Sequence, residues 1–190
     1  LVLYDAGTGE FVHYSLLPEF EGLTYTSTVD CVTGRRDGRE VCFGTYNSGL
    51  WVLDRGSRTM RVFNSATTSE LTEDCILSLE EDGTGNLWIG TRRGIFVLTP
   101  EDRVVPLAEF ISRPEAENGY KALSMSADLS GRIWVATGYD GILCIDPYGH
   151  EITSFQVDDM PEIRIIVVEK KFDGRGIWIG GTIVILYEIM

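Results

Sequence analysis

"NLWIGT", residues Asn86 to Thr91, returns in looser form as "RIWVAT" from Arg132 and "GIWIGG" from Gly176. The tryptophans Trp88, Trp134 and Trp178 stand 46 and 44 residues apart, and "EVCFGT" sets Cys42 a further 46 residues back. Four marks at one period identify a repeat, and a repeat has to be recognised before any fold is read.

Each mark has the same neighbours. Upstream lies a polar turn with Asp and Gly, at Asp37, Asp82, Asp128 and Asp173. Downstream a glycine opens an apolar run: "GLWVLD" at Gly49, "GIFVLT" at Gly94 and "GILCID" at Gly141. A further run closes each unit ("RVF" from Arg61, "VVPL" from Val104, "EITSF" from Glu151), and another precedes each Asp ("TVDCV" from Thr28, "CILSL" from Cys75, "KALSM" from Lys121, "IRIIVV" from Ile163). Short β-branched runs separated by Gly, Asp and Asn turns are the pattern of an antiparallel meander, here with strands A to D.

A lone four-stranded sheet cannot bury two apolar faces, and strands A and B lack polar alternation. Sheets stacked around an axis cover each other, so the expected fold is all-β, a fragment of a β-propeller with four-stranded antiparallel meander blades. Residues 1–190 read as a single partial propeller: strands C and D of a preceding blade over 1–14, blades over 24–63, 72–107 and 120–155, and an incomplete A-B-C blade over 163–188. Seventeen strands follow. In this scheme Asp82, Asp128 and Asp173 close the A-to-B turn, with Gly83 supplying positive φ after Asp82. Trp88, Trp134 and Trp178 fill the wedge between blades, and Gly90 leaves room for close approach.

Of 190 residues, 44% are hydrophobic and 24% charged, with 21 glycines, as suits a globular, turn-rich chain. The formal charge of -13 opposes binding to nucleic acid. Cys31, Cys42, Cys75 and Cys144 form no CxxC pair and lie in apolar runs, which reads as buried free thiols. His13 and His150 read as surface residues, and no GxSxG spacing supports a nucleophile. The recurring aspartates offer too few oxygens in one loop for calcium, and zinc lacks ligands. The sequence therefore predicts no catalytic residue, no cofactor and no metal site.

"LSLEEDGTGNLWIGTRRGIFVL", Leu77 to Leu98, resembles the two-component regulator propeller repeat, and degenerate copies of it extend over the chain. Cys42 departs from the pattern by replacing the tryptophan, and the last unit lacks a clear B-to-C glycine turn. The resemblance implies the extracytoplasmic sensor part of a hybrid two-component histidine kinase of Bacteroides type. It also implies a periplasmic location in an inner-membrane protein, with the kinase and the remainder of the propeller outside this chain. The expected function is non-catalytic recognition of a carbohydrate-type ligand, relayed to that kinase. The alternatives are a propeller lyase or glycoside-processing enzyme acting at the loop rim, and an interaction module without a small ligand.

Ligand contact is expected on the rim where the B-to-C and D-to-A connections emerge, since loops on a rigid scaffold carry recognition. The B-to-C turns place Tyr46 and Asn47, Arg92 and Arg93, and Tyr139 and Asp140 at matching positions, and tyrosine and arginine suit sugar stacking and hydroxyl or acid contacts. Arg92 and Arg93 break an acidic rim, which points to an acidic oligosaccharide. Uncovered blade faces would favour self-association.

Overall fold

The computed structural model describes residues 2–13, 28–112, 119–138, 140–155, 165–171, 176–181 and 187–189. The described strands form antiparallel meanders in chain order. A hairpin comes first, β1 (Val2–Asp5) with β2 (Glu10–His13). The first four-stranded sheet is β3 (Val29–Gly34), β4 (Glu40–Thr45), β5 (Leu50–Asp54) and β6 (Met60–Phe63). The second is β7 (Ile76–Glu81), β8 (Leu87–Thr91), β9 (Ile95–Leu98) and β10 (Val104–Pro106), followed by a single helical turn, α1 (Leu107–Phe110). The third is β11 (Ser124–Ala127), β12 (Ile133–Ala136), β13 (Ile142–Asp146) and β14 (Glu151–Phe155). A three-stranded sheet of β15 (Ile165–Lys170), β16 (Ile177–Gly181) and β17 (Tyr187–Ile189) completes the described part. This is the expected propeller architecture. The first strands of successive sheets pack side by side, β3 with β7, β7 with β11 and β11 with β15, so they lie innermost.

Residue parity decides which neighbour each side chain meets, because successive side chains on a strand point to opposite faces. On β8, Leu87 and Ile89 join the core shared with the first sheet, whereas Trp88 joins the core shared with the third. On β12, Ile133 and Val135 face back into the second sheet's core, while Trp134 and Ala136 face forward to Val168, Ile177 and Ile179 of the last sheet. Both faces are buried, which is why these strands read as continuous apolar runs.

The small residue two places after each tryptophan position is required by close approach. A Cβ added at Gly90 would lie 2.3 Å from Ser78 Oγ and 2.8 Å from Ala122 Cβ, and at Gly44 2.5 Å from Ile76 Cγ2. Opposite those positions the inner strands are joined across sheets: Ser78 Oγ donates to the Ala122 carbonyl (3.0 Å) and Ser124 Oγ to the Val168 carbonyl (3.2 Å). Cys31 holds the equivalent place in the first sheet, opposite Gly44, with Sγ 3.9 Å from the Ile76 carbonyl.

The A-to-B turns differ from expectation in two respects. Positive φ falls directly after the aspartate at Gly38 (71°), as expected, but three residues after it at Gly85 (87°) and Gly131 (81°), not at Gly83. The Asp82 carboxylate first accepts from the Thr84 amide at 2.8 Å, and the chain then needs a left-handed residue at Gly85 to return, as in a type I turn ending in a bulge. Nor do the four aspartates recur at one register position. Asp82 and Asp128 open the turn, their amides donating to the carbonyls of Asn86 and Arg132. In the first and last sheets the loop is one residue longer and the opening residue is Arg35 or Lys171, donating to Glu40 and Gly176. Asp37, two residues further on, accepts from the Arg39 amide instead. Asp173 lies outside the described residues.

Candidate functional site

Two arrangements carry the polar chemistry: a carboxylate–indole lock inside the stack, and the rim of B-to-C turns. In the lock, Asp82 Oδ2 accepts from Trp88 Nε1 at 3.0 Å, and Asp128 Oδ2 from Trp134 Nε1 at 2.9 Å. Asp82 is 1% exposed and Trp88 fully buried. Burial alone would push Asp82 up, but hydrogen bonds from Trp88, Asn86 and Thr84 outweigh it and hold the carboxyl below the usual range. The same balance, led by burial and overturned by Trp134 and Arg132, lowers Asp128. Sequence reasoning found the turn role of Asp and the wedge role of Trp but not the bond between them; the six-residue spacing shared by Asp82/Trp88 and Asp128/Trp134 was the available signal.

Trp178 departs from the wedge expectation, being 40% exposed with Lys171 Nζ 5.7 Å from its ring centre. Each buried indole faces the next sheet along the chain, and among the described residues no sheet follows β17. The residue at the turn-opening position is also Lys171, a cation, where Trp88 and Trp134 find a carboxylate.

On the rim, the B-to-C turns of the three four-stranded sheets are each closed by a buried threonine. Thr45, Thr91 and Thr137 donate their hydroxyls to the carbonyls of Gly49, Gly94 and Gly141 at 2.8–2.9 Å. Sequence reading passed over them, although the "GT" or "AT" ending each β-strand mark was visible. The residue after each threonine is Tyr46, Arg92 and Gly138; the first and third turns have three residues before the glycine and the second has two, so Asp140 aligns with Ser48 and has no counterpart in Arg93. Tyr139 lies outside the described residues.

Tyr46 and Arg92 are brought together: the guanidinium carbon of Arg92 sits 4.8 Å from the centre of the Tyr46 ring. The neighbouring tyrosine raises Arg92 further above its ordinary value, so its charge is permanent. Arg93 points elsewhere, to Glu73 at 3.9 Å. Asn47 Oδ1 accepts from Ser48 Oγ at 3.4 Å. Asp140 is exposed on the third turn, outside the Tyr46–Arg92 contact.

Three clefts accompany these features. One of about 490 Å3 runs between the outer strands β6 and β10, and one of about 510 Å3 between the A-to-B turns of the first two sheets. The third, about 250 Å3, opens on the rim beside Arg93 and Tyr120.

Among the described residues no group of three or more His, Cys, Asp or Glu side chains is arranged to hold a metal ion. The cysteines are unbridged, and burial pushes the Cys31 and Cys42 thiols up to about 12 and Cys144 to about 11, well away from thiolate chemistry at neutral pH. His150 Nδ1 lies 3.1 Å from the Ile111 carbonyl. Among the described residues no helix is long and apolar enough to cross a membrane.

The chain is a β-propeller segment by this geometry and by its likeness to solved structures. It superposes on the extracellular domain assigned to a hybrid two component system of B. thetaiotaomicron with TM-score 0.72 and 21% identity, covering 98% of this chain and 24% of that one. A second such domain from the same organism gives TM-score 0.66 and 17% identity, over 84% and 21%. An auxiliary nutrient binding protein of Bacteroides ovatus gives 0.59 and 11%, over 80% and 36%. At these identities the likeness is one of fold, and the chain spans about a quarter of the length of the first two. No curated protein sequence matches. Residues 70–93, which include β7 and β8 of the second sheet, match the family model described as two component regulator propeller.

Proposed function

We propose that the chain is part of the non-catalytic, extracytoplasmic sensor propeller of a hybrid two-component regulator. It recognises a carbohydrate-type ligand at the rim of B-to-C and D-to-A connections and relays binding to a kinase elsewhere in the polypeptide. The location that goes with this reading is the periplasm. The supporting observation is the regulator-propeller repeat at residues 70–93, set in a stack of sheets that follows the extracellular domain of a hybrid two component system over 98% of this chain. The rim supplies fitting chemistry: Tyr46, Asn47, Arg92, Arg93 and Asp140 are aromatic, amide, cationic and acidic groups on rigid turns, as sugar hydroxyls require.

A glycan-binding screen with the whole ectodomain tests the reading. Binding of oligosaccharides, weakened by Arg92→Ala or Tyr46→Ala, is the expected result; an ectodomain that assembles with a partner protein yet binds no glycan would replace it by the interaction-module reading. The open reading frame around this segment should encode a membrane helix and a kinase. Self-association belongs to the same proposal, because Tyr4, Phe11 and Trp178 are exposed apolar groups. Light scattering of the 190-residue chain should give a dimer, and a monodisperse monomer would remove that element.

A further inference from the structure

The rim cleft of about 250 Å3 is built from three separate connections. Glu70 and Thr72 come from the link between the first and second sheets, Arg93 and Phe96 from the second B-to-C turn and the strand after it, and Pro106 and Tyr120 from the two ends of the link to the third sheet. Its walls are fixed by the scaffold. Phe96 is buried in the core between the first and second sheets, and Tyr120 packs, half-buried, on the core between the second and third. The backbone at Gly119 closes so tightly on the turn that a Cβ there would lie 2.3 Å from the Arg93 carbonyl oxygen. A cleft held open by packed sheets loses little freedom when a ligand enters.

Size and lining narrow the occupant. The volume is below the roughly 300 to 1,000 Å3 of pockets that take drug-sized ligands, so one ring fits. Phe96, Pro106 and the Tyr120 ring offer apolar surface for the C–H face of a sugar. Around them Arg93 donates only, Glu70 accepts only, and the Thr72 hydroxyl does both, which matches neighbouring hydroxyls that each donate and accept. Charge decides between neutral and acidic sugars. Arg93 already faces Glu73 at 3.9 Å, and Glu70 adds a carboxylate held ionised by its own backbone amide and the Ser69 hydroxyl. No surplus positive charge remains in this cleft for a uronate or sulfate.

We propose that this cleft is a monosaccharide-sized subsite for a neutral pyranose ring. The proposal rests on the carbohydrate reading above and departs from the acidic oligosaccharide that the Arg92-Arg93 pair implies in the sequence: Arg92 is engaged with Tyr46, and the field at Arg93 is balanced.

Saturation-transfer NMR on the 190-residue chain, with the methyl glycosides of glucose, galactose and mannose and the matching methyl hexuronides, tests it. At least one neutral glycoside should bind, roughly in the millimolar range, and the hexuronides at least 5-fold more weakly (about 1 kcal/mol). Thr72→Trp, at an exposed position that fills the cleft, should abolish the signal while leaving the thermal midpoint unchanged; Glu70→Gln should weaken binding several-fold. Arg36→Ala, at the A-to-B turn, should change nothing. Hexuronides binding as well as neutral sugars would overturn the charge argument. Neutral binding that survives Thr72→Trp would overturn the cleft while sparing the carbohydrate reading. Silence of every glycoside on the unmodified chain would also overturn the cleft, and the glycan screen would then decide the broader reading separately.

Discussion

The first and second sheets share one strand register, and the instructive differences between them fall at two positions that a hydrogen bond ties together in the second. Where the second has Asp82 and Trp88, the first has Arg35 and Cys42, each replaced together with its partner. The Trp88 indole fills the wedge and pins its own turn through the carboxylate. In the first sheet the Cys42 thiol is too small to do so, and the space near the turn is held by charge: Arg35 Nη2 donates to the Gly85 carbonyl at 2.8 Å and its Nε lies 3.7 Å from Glu81 and 3.8 Å from Glu40. Glu40 is further bridged to Arg61, which also reaches Asp102. A buried carboxylate is tolerable only when several donors meet it, so losing the indole and keeping the aspartate would leave the acid with Thr84 and Asn86 but short of its most buried donor. Between these two sheets the residues change as a pair, whereas the last sheet keeps the indole, Trp178, exposed and without a turn-opening carboxylate.

Breaking the pair in the second sheet should have the largest effect. Trp88→Ala should destabilise by about 3–5 kcal/mol in urea unfolding, the range for deleting a large buried aromatic. Trp178→Ala, at an exposed position, should lose under about 1 kcal/mol. Equal losses would show that the exposed indole is covered in solution.

Restoring the pair in the first sheet sharpens the point. Cys42→Trp alone should cost about 1–3 kcal/mol by overpacking, and adding Arg35→Asp should recover part of that loss. A double variant no better than the sum of its parts would deny the coupling.

Acid unfolding separates the same sheets more gently. Asp82 has a lowered folded-state pKa, so its contribution to stability is complete above the ordinary aspartate value and is lost as pH falls through the depressed one. Asp82→Asn should therefore show a shallower decline of stability in that acidic window, besides a cost of about 1–3 kcal/mol at neutral pH from imperfectly met donors. An unchanged acid slope would mean the carboxylate is not ionised in the fold.

The smallest effect belongs to the rim. Arg92→Ala should cost less than any of these, since it removes a single exposed cation–π contact, and the loss is measurable against Tyr46→Ala in a double-mutant cycle.

The strand order and the recurrence of sheets were legible because a 46-residue repeat of short apolar runs and Gly/Asp turns survives in the sequence even where Trp88 becomes Cys42. The turns were harder. Asp37 looks like Asp82 in a string of letters, yet it stands five residues before Cys42 where Asp82 stands six before Trp88, and the backbone hydrogen bonds from Arg35 to Glu40 and Lys171 to Gly176 show that it lies two places past the opening position. Partnerships between distant residues were the least visible. Nothing in the local pattern of "TYN" or "TRRG" says that Arg92 will lie over Tyr46, 46 residues earlier, or that Arg93 will turn towards Glu73, because the first contact comes from the stacking of two sheets and the second from the pairing of β7 with β8.

The parity of the strands gives the stack a direction. A load applied through Leu87 or Ile89 enters β8 from the first sheet and can leave through Trp88 into the third, and Ile133 receives it while Trp134 hands it on to the fourth. Odd and even residues thus serve as receiving and transmitting faces of each layer, and a message from the rim would travel along the chain as a series of nearest-neighbour handovers whose weakest coupler is the layer with Cys42 in place of the second-strand indole.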